Sequence, residues 1–398
     1  MRSPHSVSRG EVTMPRPRRI YLDNNATTRP LPEVVEEVAR HLHDSYGNPG
    51  SRHEEGRRAR QALEAARESI ASILGADPEE VIFTSGGTES TNLALFGAAG
   101  DAPGTILLTA GEHPATKEAC LALQRRGWQL RELAVDRNGL LQEEQYDELP
   151  WDQVKLATVI LAHNETGILQ EVRPLARRCQ KAQVFFHVDA VQAAGKVPVD
   201  FHGCGATSMA IGAHKFHGPR GIGALLLRKG TELRPLLHGG HQESGRRPGT
   251  ECVALACGMA RALEIWHHDQ QRRQRVLTEM RDRLQNGLQQ SCQPVVVVAE
   301  HAPRLPNTLN IAFPGLDSEA LLAALDLEGV ACSVGSTCAS GAAEPQPALV
   351  AMGYGEDVYR SVLRFSLSIE NTAEEINEAI RRISAVVARM RSTGHQAP

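Results

Sequence analysis

From Glu54 to Leu74 the apolar positions Ala59, Ala62, Leu63, Ala66, Ile70 and Ile73 recur at helical spacing, so this stretch predicts an amphipathic helix. Immediately after it, "EEVIFTSGG" supplies a short apolar run, Val81 to Thr84, that breaks into glycines. "TESTNLALFGAA" returns to the helical period. "TILLTAGEH", "LATVILAHNETG" and "VFFHVDAVQ" then repeat one theme, an apolar strand that ends in polar or charged residues and a turn. Helical intervals at Ala115–Arg126 and Pro174–Ala182 separate them, and "GIGALLLRKG" adds a further strand. Strands alternating with helices predict an α/β fold with a mostly parallel sheet, whose ligands gather at the carboxyl ends of the strands.

The pattern changes near Thr250. Residues 251–290 read as one long helix, polar on one face. "RLPNTLNIAF" and "SVLRFSLS" read as strands and "DSEALLAALDLEG" as a helix. A last amphipathic helix follows Thr372, a cap with Glu375 three residues on. The expected organisation is a flexible extension over residues 1–19, a large α/β domain over 20–255 whose first residues pack on the small domain, and a smaller α+β domain over 256–398.

Composition narrows the function. The chain has 398 residues, 41% of them hydrophobic, which suffices for two cores. Its 43 basic and 47 acidic residues give a net charge of -4 and no general attraction to nucleic acid or acidic lipid. Eight cysteines without a CxxC pair argue against a disulfide scaffold or structural zinc and for a reducing compartment. No apolar run is long enough to span a bilayer. The expected setting is cytoplasmic, without membrane or direct nucleic-acid contact. The first residues read as an extension rather than a secretory signal, and Met14 offers a second start.

Three features at successive strand ends suggest chemistry. In "TSGGTES", Gly86 and Gly87 lead into a helix that begins near Thr88, where free backbone N–H groups suit a phosphate. A tight turn with a threonine cap explains the same residues. Asp189 closes an apolar strand and needs a partner there, either a helix start or a protonated ring nitrogen. A simple turn cap is the rival. Lys215 lies in "GAHKFHGPRG", where glycines and alanine crowd the backbone, and a lysine becomes a strong nucleophile once its charge is suppressed. Lysine for an aldehyde, acid for a pyridine nitrogen and an anion nest for phosphate together point to pyridoxal 5'-phosphate. Cys338 in "VGSTCASG" sits among small residues, unlike Cys257 in the apolar "VALACGMA", so it is the candidate reactive thiol. A bystander cysteine or a redox sensor remains the alternative. Arg364 in "LRFS" alternates out of an apolar strand and suits a carboxylate, with a surface ion pair as the plainer reading.

The motifs "YLDNNATT", "YGNPGSRH", "FTSGGTES", "EHPA", "NETG", "FHVDAVQ", "HKFHGP", "GRRPGT" and "GSTCASG" occur in one order from Tyr21 to the last helix. In them the chain resembles the NifS/IscS-like cysteine desulfurases of the class V aminotransferase family. That resemblance implies a fold-type-I pyridoxal phosphate enzyme, a homodimer, and conversion of L-cysteine to L-alanine. It implies a Schiff base at Lys215, Asp189 on the pyridine nitrogen, and His113 stacked on the ring and active in proton transfer. It further implies Asn164 and Gln192 near the phenolic oxygen, and Asn164 and Arg364 on the substrate carboxylate. Gly87, Thr88 and His214 would hold the phosphate, with Thr250 reaching in from the partner subunit. Cys338 would carry sulfur as a persulfide, and as a transient iron–sulfur ligand would meet a sulfur acceptor or iron–sulfur scaffold protein. No resident metal is implied. The pattern is broken at Gly212, where relatives carry serine, at His163 in "HNETG", at Ser244, and at Ser368 and Ile369. A selenocysteine lyase, an aminotransferase or a non-catalytic assembly scaffold on the same fold are the competing readings.

Overall fold

The computed structural model describes residues 18–334 and 346–393. Cys338 lies outside the described residues.

The chain enters through a short strand, β1 (Ile20–Tyr21), and then forms α1 (Pro32–Asp44) and α2 (Glu54–Leu74). Alternating strands and helices follow: β2 (Val81–Thr84), α3 (Gly87–Ala98), β3 (Thr105–Thr109), α4 (Pro114–Gln124), β4 (Gln129–Leu133), β5 (Val154–Ile160), α5 (Arg173–Lys181), β6 (Phe185–Asp189), α6 (Phe201–Cys204), β7 (Ser208–Gly212) and β8 (Gly223–Leu227). The remainder comprises α7 (Val253–Ser291), β9 (Val296–Val297), β10 (Thr308–Ala312), α8 (Ser318–Leu327), β11 (Val330–Ala331), α9 (Pro347–Ala351), α10 (Glu356–Tyr359), β12 (Val362–Ser366) and α11 (Ala373–Ser392).

Seven strands form the large sheet in the order β2-β8-β7-β6-β5-β3-β4. Every pairing is parallel except those of β8, which runs antiparallel to both β2 and β7. Helices cover both faces, so β2, β3, β7 and β8 are buried along their whole length. The edge strand β4 is mostly exposed. On α2, Leu63, Ala66, Ile70 and Leu74 face the core, and the helix ends at Gly75 in the left-handed region (φ 63°), where a side chain would also meet the Asp200 carboxylate. Burying each such leucine or isoleucine contributes about 1.5–3 kcal/mol.

A second core gathers Leu22, Leu284, Leu309, Phe313, Phe365 and Ile383 around the antiparallel sheet β12-β10-β9 and the parallel pair β1-β11. The long α7 serves both cores: Leu263 packs with the large sheet, Leu277 and Leu284 with the small one. The fold is thus α/β with a predominantly parallel central sheet and a smaller α+β part built from the C-terminal third, and β1 adds the chain's start to that second core. No helix among the described residues is long and apolar enough to cross a membrane.

Candidate active site

The parallel strands present their carboxyl ends along one edge of the sheet, and the residues following β2, β3, β5, β6 and β7 meet there in a cavity of about 250 Å³. Gly87 and Thr88 form the first turn of the twelve-residue α3, whose N-cap, Gly86, supplies no side-chain hydrogen bond. A Cβ on Gly87 would come within 2.5 Å of Val191 Cγ2, so glycine is what lets this turn close over the β6 loop. The free N–H groups and dipole of that turn form an anion cradle.

His113 caps α4, its Nδ1 accepting from the Ala115 N–H at 3.1 Å. That bond leaves the ring proton on Nε2. Burial pushes the imidazole pKa down, against the pull of Asp189, so the ring is held neutral. Asp189 ends β6, where its Oδ1 accepts from the Val191 N–H at 3.0 Å. Burial raises its pKa, while His113 and Lys215 oppose the rise. Beside it, the Lys215 Nζ donates to the Asn25 and Ala26 carbonyls at 2.7 and 3.0 Å. Burial, reinforced by the positive Arg364, lowers this amine to a pKa of about 8. His214 is lowered to about 4 by burial and by Lys215, and its Nδ1 lies 3.2 Å from the Thr27 hydroxyl. Asn164 and Gln192 complete the lining.

The remaining expected residues stand differently. Arg364 is buried just behind the cavity, with Nη2 on Asp23 Oδ1 at 2.7 Å and Nη1 on the Asn164 carbonyl at 2.9 Å. Its Nε is buried with no hydrogen-bond partner among the described residues. Thr250 is exposed and does not line the cavity of its own chain, although Arg247 three residues earlier pairs with Glu89 in the first turn of α3 at 2.8 Å. Among the described cysteines, burial pushes Cys120, Cys179 and Cys257 up to about 12, and raises Cys332 as well. Cys252 does not share the apolar helix of Cys257: it is the exposed N-cap of α7.

Sequence reasoning missed four residues. Asn25 is buried and joins Lys215, Gln192 and Asn164 to Thr308 in the second core. Lys196, also buried, donates to Asn25 Oδ1 and Gln192 Oε1. Asp23 occupies Arg364. Glu112 accepts from the Ile160 N–H at 2.9 Å and from the Thr109 hydroxyl, and burial together with the charge of Asp189 pushes it up to about 7. Asn25 and Asp23 lie inside "YLDNNATT", and Lys196 follows Gln192 by four residues, but nothing in the pattern marks any of them as buried. His163, one of the departures from the expected motif, ties two loops of the site together. Its Nε2 donates to the Gly111 carbonyl at 2.9 Å and its Nδ1 accepts from the Glu165 and Thr166 N–H groups.

Two larger grooves, of about 610 and 750 Å³, lie on the surface away from these strand ends. Their charged groups are largely paired, as Arg67 is with Glu243 and Lys229 with Glu79. Among the described residues no cluster of histidine, cysteine and carboxylate groups could hold a metal.

The aminotransferase class-V family matches residues 20–378. A cysteine desulfurase of Enterobacter agglomerans is 42% identical over 378 residues, covering 94% of each chain. Cysteine desulfurase NifS of Azotobacter vinelandii is 40% identical over 380 residues, again 94% of each. A solved NifS-like protein superposes with a TM-score of 0.87 at 34% identity, covering 93% of this chain and all of its own.

Proposed function

The chain belongs to the class-V aminotransferase family, and from that premise we infer how its residues act as a pyridoxal-phosphate-dependent cysteine desulfurase. The enzyme converts L-cysteine to L-alanine and passes the sulfur on as a persulfide for iron–sulfur cluster or thio-cofactor biosynthesis. One observation carries the assignment of roles. A suppressed lysine, a buried aspartate and an uncapped helix start converge on one cavity from three strands of one sheet.

The donor set fits pyridoxal 5'-phosphate. The Gly87–Thr88 turn and His214 would hold the phosphate, Asp189 the ring nitrogen, and Gln192 and Asn164 the phenolic side. Asp189 suits that partner because a buried carboxylate gains most from a charged N–H beside it. When bound, the cofactor supplies an aldehyde for amine capture and a ring that draws electrons from the substrate's α carbon.

Lys215, with a pKa of about 8, has an appreciable neutral fraction near pH 7–8 and serves as nucleophile and proton carrier. Arg364 receives the substrate carboxylate, with Asp23 and the Asn164 carbonyl holding its guanidinium in place. His113, neutral with its proton on Nε2, would lie against the cofactor and could move a proton there. Cys338 takes the sulfur, a role in keeping with the raised pKa of Cys120, Cys179, Cys257 and Cys332, which are poor thiolates at neutral pH. The enzyme acts as a homodimer, with Thr250 serving the partner's site, and hands sulfur to a scaffold or carrier protein. Residues 20–255, joined by the first turns of α7 through Leu263 and apart from β1, form the cofactor-binding unit, and the rest up to residue 398 the unit that bears the thiol.

The test is direct. Purified protein incubated with L-cysteine and reductant yields alanine and sulfide in equal amounts, and borohydride fixes the cofactor on the peptide containing Lys215. Lys215→Ala abolishes turnover. Cys338→Ser keeps the absorbance change on adding L-cysteine but forms little sulfide. Sulfide release by Cys338→Ser at the wild-type rate overturns the thiol assignment, and label on another lysine overturns the cofactor assignment.

A further inference from the structure

Lys196 is a cation in an unusual place. Its residue is only 7% exposed, and it has no carboxylate partner among the described residues. The nearby charges acting on it, Lys215 and Arg364, are both positive, and burial lowers its pKa well below the usual lysine range. A stability role explains this poorly, since a methylene chain without the amine would pack there at lower cost. What the amine does is donate to two side-chain oxygens, Asn25 Oδ1 at 2.8 Å and Gln192 Oε1.

A charged amine only donates and a neutral one still brings two N–H donors, so both contacts are satisfied with the amide oxygen ends toward Lys196. The partners at the opposite ends agree. Gln192 Nε2 donates to the Asn25 carbonyl at 2.8 Å, the same oxygen that receives Lys215. Asn25 Nδ2 donates to the Asn164 carbonyl and to the Thr308 hydroxyl at 3.2 and 2.9 Å. Reversing the Gln192 amide would set two acceptors against each other at the Asn25 carbonyl, whatever the charge on Lys196. Gln192 lines the cavity, and with Oε1 held by Lys196 and one Nε2 hydrogen on the Asn25 carbonyl it keeps a second Nε2–H for a ligand.

We propose that Lys196 is a positioning residue of this site: its amine occupies Gln192 Oε1 and Asn25 Oδ1, and thereby turns the Gln192 amide so that the cavity meets a donor and never an acceptor. The atom of the cofactor beside Gln192 must then be an acceptor, as an ionised ring hydroxyl is. This assignment rests on the cofactor reading given above and adds a residue that does not itself touch the cofactor.

The experiment is a double-mutant cycle on Lys196→Met and Gln192→Met, read on cofactor-free protein titrated with pyridoxal phosphate and on the visible absorption maximum of the bound form. Each single variant weakens cofactor binding about tenfold, the worth of one hydrogen bond. Each shifts the absorption maximum in the same direction. The double variant is no weaker and no further shifted than Gln192→Met alone, because Lys196 acts through Gln192. Effects that add, or a Lys196→Met protein indistinguishable from wild type, overturn the proposal. Wild-type protein that takes up no cofactor on Lys215 would instead overturn the functional reading beneath it, so the two failures are distinguishable. Should Lys196→Met not fold, neutron diffraction from wild-type crystals reads the amide directly. Deuterons on the end of Gln192 facing Asn25 and the cavity support the assignment, and deuterons on the end facing Lys196 refute it.

Discussion

Glu112 shows how far a single residue of this site departs from its ordinary chemistry. It is buried, its Oε2 has no hydrogen-bond partner among the described residues, and its pKa is pushed up to about 7 by burial and by Asp189. The folded value lies above the unfolded one of 4.5, so the folded state binds the extra proton between those limits. Stability contributed by the neutral acid is therefore full below pH 4.5 and is lost as pH rises toward 7. Two and a half pH units correspond to about 3 kcal/mol. Glu112→Gln cannot ionise and escapes that loss. Relative to wild type it should gain about 2–3 kcal/mol between pH 5 and pH 8, measured by denaturant unfolding of the cofactor-free proteins. A difference that stays constant with pH would mean that Glu112 is already ionised at pH 5. Lys215 has the opposite sign: its lowered pKa costs the fold stability at and below pH 8, and that cost disappears as pH rises from 8 toward 10.5.

At the level of elements, the site is made where strands stop. The junction of β7 with the turn bearing Lys215 carries Gly212, where the family resemblance leads one to expect a serine hydroxyl. Its φ of -139° is open to any residue. A Cβ there would lie 3.5 Å from Gly87 N and Val191 Cγ1 and 3.8 Å from His214 Cδ2, all ordinary contacts. Serine fits, and its hydroxyl would stand beside the α3 cradle. Gly212→Ser should therefore tighten pyridoxal phosphate about tenfold, as one added hydrogen bond to a charged group allows. Titration of the cofactor-free protein checks this, and unchanged or weaker affinity would mean that backbone or water already fills the place. The same scale explains which elements the pattern revealed. Helix Glu54–Leu74 and strand Val81–Thr84 stand where their periodicity puts them, and the Thr372–Glu375 capping box forms at the head of α11. Helix α4 starts one residue before, and ends two residues before, the predicted 115–126. Helix α1 and strand β4 are not among the predicted elements. For β4 this is because it is a largely exposed edge with little apolar signal, whereas α1 carries Val34, Val35, Val38 and Leu42 at helical spacing and is legible in the pattern.

Across the whole molecule, Asn25 holds the site and the second core together. Its N–H donates to Ser366 Oγ in β12, its Nδ2 to Thr308 in β10, and its Oδ1 receives Lys196 and Asn307. Asn25→Ala keeps the backbone carbonyl for Lys215 but strands several buried donors at once. A loss of at least about 3 kcal/mol in unfolding free energy is expected, together with weakened cofactor binding. Denaturant titration and cofactor titration measure the two. A variant within about 1 kcal/mol of wild type would show that the network closes without this side chain.

The periodicity of the chain was enough to set out the α/β alternation, the change of pattern near Thr250 and the strand-end positions of Asp189 and Lys215. Those features are local: a buried strand must be apolar, a helix must be amphipathic, and a polar residue at the end of either stands out against that background. What only the tertiary structure decided is everything that depends on partners distant in sequence. The chain pattern could not reveal that β8 runs against its neighbours, that Asp23 lies on Arg364 341 positions away, or that Lys196 is buried against two amides. A lysine or an asparagine looks the same in sequence whether it faces water or an amide oxygen, and its burial and pKa follow from the groups that folding packs around it.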